Sequence, residues 1–163
     1  MIPIYLCGFM GCGKSTVGKL VAQATKRAFI DLDDYIEEAA GMTIPEMFEK
    51  YGEAHFRALE TEALKGLSSS FTVVATGGGA LLSGANVCIA SKTGLVIFID
   101  TPFETCYDRI KDDPHRPIAA ASSKDELKAR FDDRFPKYKA NSAITVSGEG
   151  TPEQVAQRIL DVI

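Results

Sequence analysis

Gly8-Phe9-Met10-Gly11-Cys12-Gly13-Lys14-Ser15 is the stretch on which the fold turns. It fits the spacing Gly-x-x-x-x-Gly-Lys-Ser/Thr. An apolar run, residues 2–7, precedes it, and a helix-like segment, residues 16–25, follows. In that strand–loop–helix setting the pattern binds phosphate. Glycines let the backbone turn its N–H groups inward around phosphate oxygens. The start of the helix adds a favourable dipole. Lys14 reaches the outer phosphates as a point charge, and the Ser15 hydroxyl suits Mg2+. The nucleotide-binding set is therefore Gly11, Cys12, Gly13, Lys14, Ser15 and Thr16. Cys12 reads either as a small spacer or as a thiol activated by Lys14 and the helix terminus.

Outward from the loop, strand-sized apolar runs alternate with helical stretches. Candidate strands are residues 2–7, 28–30, 72–75, 95–99 and 144–146. Candidate helices are residues 16–25, 33–40, 43–51, 53–67, 84–90, 103–110, 124–138 and 152–162. Thr43 and Thr151 have N-cap character, and Pro152 suits the first helical position. Continuous apolar strands joined by helices predict an α/β fold with a mostly parallel sheet covered on both faces. Residues 112–123 break this rhythm, first polar and then small, and read as a mobile surface loop.

The 163 residues suit one domain over 1–163. A chain 45% hydrophobic and 25% charged is neither disordered nor fibrous. Eighteen basic against 22 acidic side chains leave a net charge of -4, which argues against a broad nucleic-acid surface. Any anionic ligand must be held by local donors. No apolar run approaches the ~20 residues of a spanning helix, and the chain enters its loop too early for a secretory leader. The four cysteines lack C-x-x-C spacing and read as thiols in a reducing compartment. His55 and His115 have no second ligand at metal spacing, which sets zinc aside.

The loop alone does not choose among GTPase, motor ATPase and small-molecule kinase. No Asn-Lys-x-Asp is present for guanine. Asp100 ends an apolar run as a Mg2+-binding aspartate would, but Thr101 stands where a motor ATPase has Glu. Asp100 reads as a strand end or a helix cap. Three further features concern an acceptor. In Asp31-Leu32-Asp33-Asp34, strand alternation points Asp31 and Asp33 the same way. One carboxylate can hold the Mg2+ water shell while the other orients or deprotonates a hydroxyl. Otherwise the cluster caps the next helix, the role read for Asp34. Around Arg57, a solvated helix with a Glu53–Arg57 pair competes with a bidentate clamp on an anionic acceptor. Gly77-Gly78-Gly79, at a strand end, exposes backbone N–H groups and permits close approach of a ligand.

In chain order, residues 8–19, Asp31-x-Asp33, Phe56-Arg57-x-x-Glu60, Gly77-Gly78-Gly79, Arg116-Pro117 and Arg134-x-x-x-Tyr138 resemble the shikimate kinases over nearly the whole chain. The phosphate loop is shared with many enzymes, and the combination is far more specific. The resemblance implies a three-layer αβα sandwich with a five-stranded parallel sheet, a P-loop kinase of the nucleoside-monophosphate-kinase type. It implies transfer of the γ-phosphoryl of ATP to the 3-hydroxyl of shikimate, with Mg2+, in aromatic amino-acid biosynthesis. A cytoplasmic monomer is expected. By resemblance, Asp33, Arg57, Gly78, Gly79 and Arg134 contact shikimate, both arginines facing its carboxylate and Asp33 its hydroxyls. Arg130, one turn from Arg134, is the alternative for the second clamp. Ser15 and, through water, Asp31 would serve Mg2+. Arg109 and Pro152 would flank adenine. A lid over about 112–123 would carry Arg116 to the phosphates, making Lys14, Asp33 and Arg116 the catalytic set. Ile118-Ala119-Ala120 stands where the family often has two leucines. The other readings are a small P-loop kinase for gluconate or a nucleotide, and a non-catalytic nucleotide-binding switch.

Overall fold

The computed structural model describes residues 2–111 and 122–163. Its strands are β1 (Ile4–Cys7), β2 (Ala28–Asp31), β3 (Thr72–Ala75), β4 (Leu95–Asp100) and β5 (Ile144–Ser147). They form one five-stranded parallel sheet in the order β2-β3-β1-β4-β5. The helices are α1 (Lys14–Thr25), α2 (Leu32–Ala40), α3 (Ile44–Tyr51), α4 (Glu53–Leu67), α5 (Gly84–Thr93), α6 (Phe103–Ile110), α7 (Lys124–Asn141) and α8 (Pro152–Leu160). A short 3-10 turn, Ala80–Leu82, follows β3.

The central strands β1 and β3 are buried along their whole length, as their unbroken apolar runs require. Alternation in β1 shows the two faces. Leu6 points to α1, where a side chain at Gly18 would collide with it and with Phe29. Tyr5 points the other way, and its hydroxyl meets Thr93 Oγ1 of α5 at 3.1 Å. Helix α8 packs on α1, while α7 lays Phe135 and Tyr138 against Phe98 of β4 on the α5 side. The sheet is thus the middle of three layers.

Local chemistry sets the ends of the helices. Thr43 caps α3 by accepting from Glu46 N, with Pro45 in the first turn. Thr151 and Gln154 form a reciprocal capping box on α8, with Pro152 at its start. Helix α1 begins earlier than expected, because Gly13 is its left-handed N-cap and Lys14 and Ser15 already lie in its first turn. A second correction concerns α2. Its cap is Asp31, not Asp34: Asp31 Oδ1 accepts from Asp33 N at 3.0 Å and Asp34 N at 3.2 Å. Asp31 and Asp33 therefore come together across a strand-to-helix junction rather than by strand alternation. The remaining elements match their expected spans to within three residues.

Candidate active site

The phosphate loop leaves β1 at the carboxyl edge of the sheet, where parallel α/β folds bind ligands. Cys12 N donates to Phe9 O at 3.1 Å and closes the turn. Lys14 Nζ donates to Gly8 O (2.6 Å) and Phe9 O (3.2 Å), which holds the ammonium over the loop. Helix α6 presses on the loop from outside. Gly11 has φ +80°, and a Cβ there would lie 2.7 Å from both Cys106 O and Ile110 Cγ2, so only glycine fits. Arg109 Nη1 donates to Gly11 O at 2.9 Å and fastens α6 to the loop. Cys12 is buried, with its Sγ 3.7 Å from Lys14 Nζ.

A cleft of about 320 Å3 opens beside the loop, lined by Gly13, Lys14, Ser15, Asp31, Asp33 and Gly77 among others. Ser15 Oγ donates to Asp31 Oδ2 at 3.1 Å, so these two oxygen donors already converge. Asp33, two residues on, has its pKa raised from 3.8 to about 6. Burial is the main cause, and the neighbouring carboxylates of Asp31 and Glu60 add to it against the pull of Lys14.

The far wall is built on the glycine run. Thr76 anchors its start, donating to Leu6 O from both N (3.0 Å) and Oγ1 (2.8 Å). Each glycine then seats a different side chain. A Cβ on Gly77 would lie 2.7 Å from Asp33 Oδ1, and one on Gly78 would lie 3.0 Å from Arg134 Nη1. On Gly79 it would lie 2.7 Å from both terminal nitrogens of Arg57. Two guanidinium groups and a carboxylate thus lie against three consecutive residues. Arg57 also bonds Glu60, Nη1 to Oε1 at 3.0 Å, and reaches Glu53 at 3.4 Å. Glu53 lies at the exposed rim, so the Glu53–Arg57 pair read from the sequence and the clamp position occur together.

A second groove of about 290 Å3 brings Arg109 and Pro152 together with Gly13, Thr16, Gly148 and Gly150. Arg134, not Arg130, is the arginine against the glycine run. Arg116, Ile118-Ala119-Ala120 and the lid as far as residue 121 lie outside the described residues, while Ser123, at the lid's expected end, caps α7 by accepting from Glu126 N at 3.1 Å. Among the described residues no cluster of three or more His, Cys, Asp or Glu could hold a metal ion. No described helix is long and apolar enough to cross a membrane.

The family model for shikimate kinase matches residues 10–163. The chain belongs to the shikimate kinase family. The shikimate kinase of Aquifex aeolicus (strain VF5) is 43% identical over 160 residues, covering 96% of this chain and 93% of the relative. That of Persephonella marina is 42% identical over 162 residues, covering 98% of each. Among solved structures, the shikimate kinase from Acinetobacter baumannii in complex with shikimate has a TM-score of 0.91 at 36% identity, covering 99% of this chain and 92% of that one. The Aquifex aeolicus structure has a TM-score of 0.85 at 42% identity, over 98% and 94%. The chain is an ATP-dependent kinase of shikimate, and the P-loop kinase architecture is that of these structures. The gluconate, nucleotide and switch readings are set aside.

Three shikimate kinase side chains matter more than the sequence reading gave them credit for. Glu60 is 1% exposed and grips Arg57. It stood in plain sight as a charged residue on the stripe Phe56, Ala63, Leu64 and Leu67, which is otherwise apolar. Tyr138 donates its hydroxyl to Gly78 O at 2.5 Å and lies within hydrogen-bonding reach of Arg134. Burial pushes its phenol up to about 12, so it stays a donor. Its place in Arg134-x-x-x-Tyr138, one turn apart, was the available signal. Asn86 had no local signal, since its partners are distant in sequence.

Proposed function

We propose that the cleft between the phosphate loop and the glycine run is where the shikimate kinase reaction takes place, with the 3-hydroxyl of shikimate attacking the γ-phosphorus of ATP. The observation that carries this is the seating of Asp33, Arg134 and Arg57 on Gly77, Gly78 and Gly79, beside Lys14. In this reading the loop N–H groups and Lys14 hold the phosphates, and the groove between Arg109 and Pro152 takes the adenine. Arg57 and Arg134 grip the acceptor's carboxylate, and backbone groups of Gly78 and Gly79 complete its seat. Asp33 accepts the proton of the attacking hydroxyl. The new bond joins that oxygen to phosphorus, the bond to the β-phosphate oxygen breaks, and ADP leaves. A carboxylate with a pKa near 6 is ionised at neutral pH and still basic enough to help.

Mg2+ prefers hard oxygen donors, takes one or two protein groups, and leaves its remaining positions to water and phosphate. Ser15 Oγ and Asp31 Oδ2, 3.1 Å apart at the cleft edge, fit that demand. When bound, Mg2+ supplies charge neutralisation across the β- and γ-phosphates. Arg116 is assigned to the phosphates, on a lid over about 112–123, from the order of the family's motifs alone. A monomer is carried by the family resemblance alone, and the buried thiols Cys7 and Cys12 suit a reducing cytoplasm.

The test offers shikimate, gluconate and AMP separately and follows ADP release. Release in step with shikimate alone is expected. Equal release with gluconate or AMP would overturn the acceptor assignment.

A further inference from the structure

Asn86 takes no part in the chemistry above, yet it is 1% exposed and uses every hydrogen-bonding atom of its amide. Its Nδ2 donates to Ala80 O at 2.9 Å and to Glu60 Oε1 at 3.4 Å. Its Oδ1 accepts from Thr61 Oγ1 at 2.6 Å. These partners sit on separate pieces of chain. Ala80 opens the turn directly after the glycine run, Glu60 and Thr61 belong to α4, and Asn86 stands in the first turn of α5.

Arg57 rests on two of those pieces. Its Nη1 donates to Glu60 at 3.0 Å, and its terminal nitrogens lie against Gly79, the neighbour of Ala80. The orientation of the guanidinium therefore depends on how Glu60 sits relative to the Gly79–Ala80 backbone, and Asn86 is the side chain that bonds both. We propose that Asn86 is a positioning residue for the acceptor site: it ties the Gly79–Ala80 backbone to Glu60 and so holds Arg57 in the pose that grips the substrate carboxylate. This rests on the reading of Arg57 as the carboxylate clamp.

An apolar residue of similar size would fill the space but take the side-chain donor from Ala80 O, leave the buried Glu60 carboxylate to Arg57, and leave the Thr61 hydroxyl to Arg57 O at 3.1 Å. Unsatisfied buried groups are costly, so the local structure would shift to find others. A residue that merely cemented α5 to α4 would lower stability on removal and leave the balance between the two substrates unchanged.

The experiment is steady-state kinetics on Asn86→Ala, Thr61→Val, Arg57→Ala and the double variants with Arg57→Ala. Asn86→Ala is expected to raise the KM for shikimate ~5- to 30-fold, the size of one lost buried hydrogen-bonding partner. The KM for ATP and kcat at saturating shikimate should stay within ~2-fold of the parent, because neither depends on this contact. Thr61 Oγ1 lies 2.6 Å from Asn86 Oδ1 and 3.1 Å from Arg57 O, so Thr61→Val loosens Asn86 and also removes the contact with the Arg57 backbone; it should move the shikimate KM the same way by less. In the Arg57→Ala background, Asn86→Ala should add under ~2-fold, since both act through one guanidinium. Unchanged shikimate KM in both single variants, or a full multiplicative effect without Arg57, overturns the inference. Should Asn86→Ala fail to fold, Asn86→Ser takes its place and decides by the same split and the same cycle. An unchanged shikimate KM in Arg57→Ala would instead overturn the clamp reading, and the inference with it.

Discussion

Asp33 pays in stability for its position in the cleft. An unfolded chain releases this proton near 3.8, whereas the folded chain holds it to about 6. Stability is therefore lost as pH rises from about 4 to about 6 and is not regained above that. Asp33→Asn should remove the penalty. At pH 7 the variant is expected to be more stable by about 1–2 kcal/mol, below the ~3 kcal/mol of the full shift because the side chain keeps some solvent. The gain should vanish near pH 4, which urea melts at the two pH values would show. The same variant should lose ~100-fold or more in kcat, the usual worth of a positioned base. In the parent enzyme kcat/KM should fall as pH drops through about 6. A variant no more stable at pH 7, or one with normal kcat, would take Asp33 out of this role. Lys14→Ala should abolish turnover and leave the melting temperature within a few degrees, because among the described residues Lys14 bonds only loop carbonyls and its neighbour Cys12. Appreciable turnover would sink the phosphate assignment. At this scale the sequence was informative about residue identity and poor on geometry. The pairing of Asp31 with Asp33 was legible, but its cause was not. A cap depends on which residue ends the strand, and apolar Leu32 reads equally well as one more strand position.

Helix α4 and the glycine run act on each other as elements. The helix buries Phe56, Glu60, Ala63, Leu64 and Leu67, which leaves Arg57 at the rim facing Gly79. Gly79→Ala should push the guanidinium aside, because the new methyl would sit 2.7 Å from both terminal nitrogens. The shikimate KM should rise ~10-fold with the ATP KM unchanged, an effect at the low end of losing a charge-assisted bond. Arg57→Ala and Arg134→Ala should each weaken shikimate by ~10- to 150-fold and ATP far less. Separate titrations of the two ligands check all three variants, and equal loss for both ligands would mean a structural role. The elements themselves were readable because apolar runs and helix caps are local signals. That three consecutive glycines would each seat a different side chain was not readable, since Asp33, Arg134 and Arg57 come from distant parts of the chain.

At the scale of the whole molecule, a parallel sheet with two covered faces followed from unbroken apolar strands joined by helices. Strand order did not, because periodicity says which face a residue takes and nothing about which strand is its neighbour. That order has a mechanical consequence. Strands β1 and β3 lie side by side, Leu6 opposite Ala75, so the phosphate loop and the glycine run leave the sheet as adjacent threads. Hydrogen bonds keep neighbouring strands about 4.8 Å apart. The sheet thus works as a ruler for the gap between donor and acceptor, and helices α2 to α4 have no means of stretching it. Loosening those helices changes how often the acceptor is seated, not how far it then sits from the phosphorus. Met47→Ala in α3, at a side chain with 0% exposure, should lower stability by about 2–5 kcal/mol. Assayed well below its melting temperature, the variant should show a raised shikimate KM and a kcat close to the parent's, as occupancy falls while the measured gap stays put.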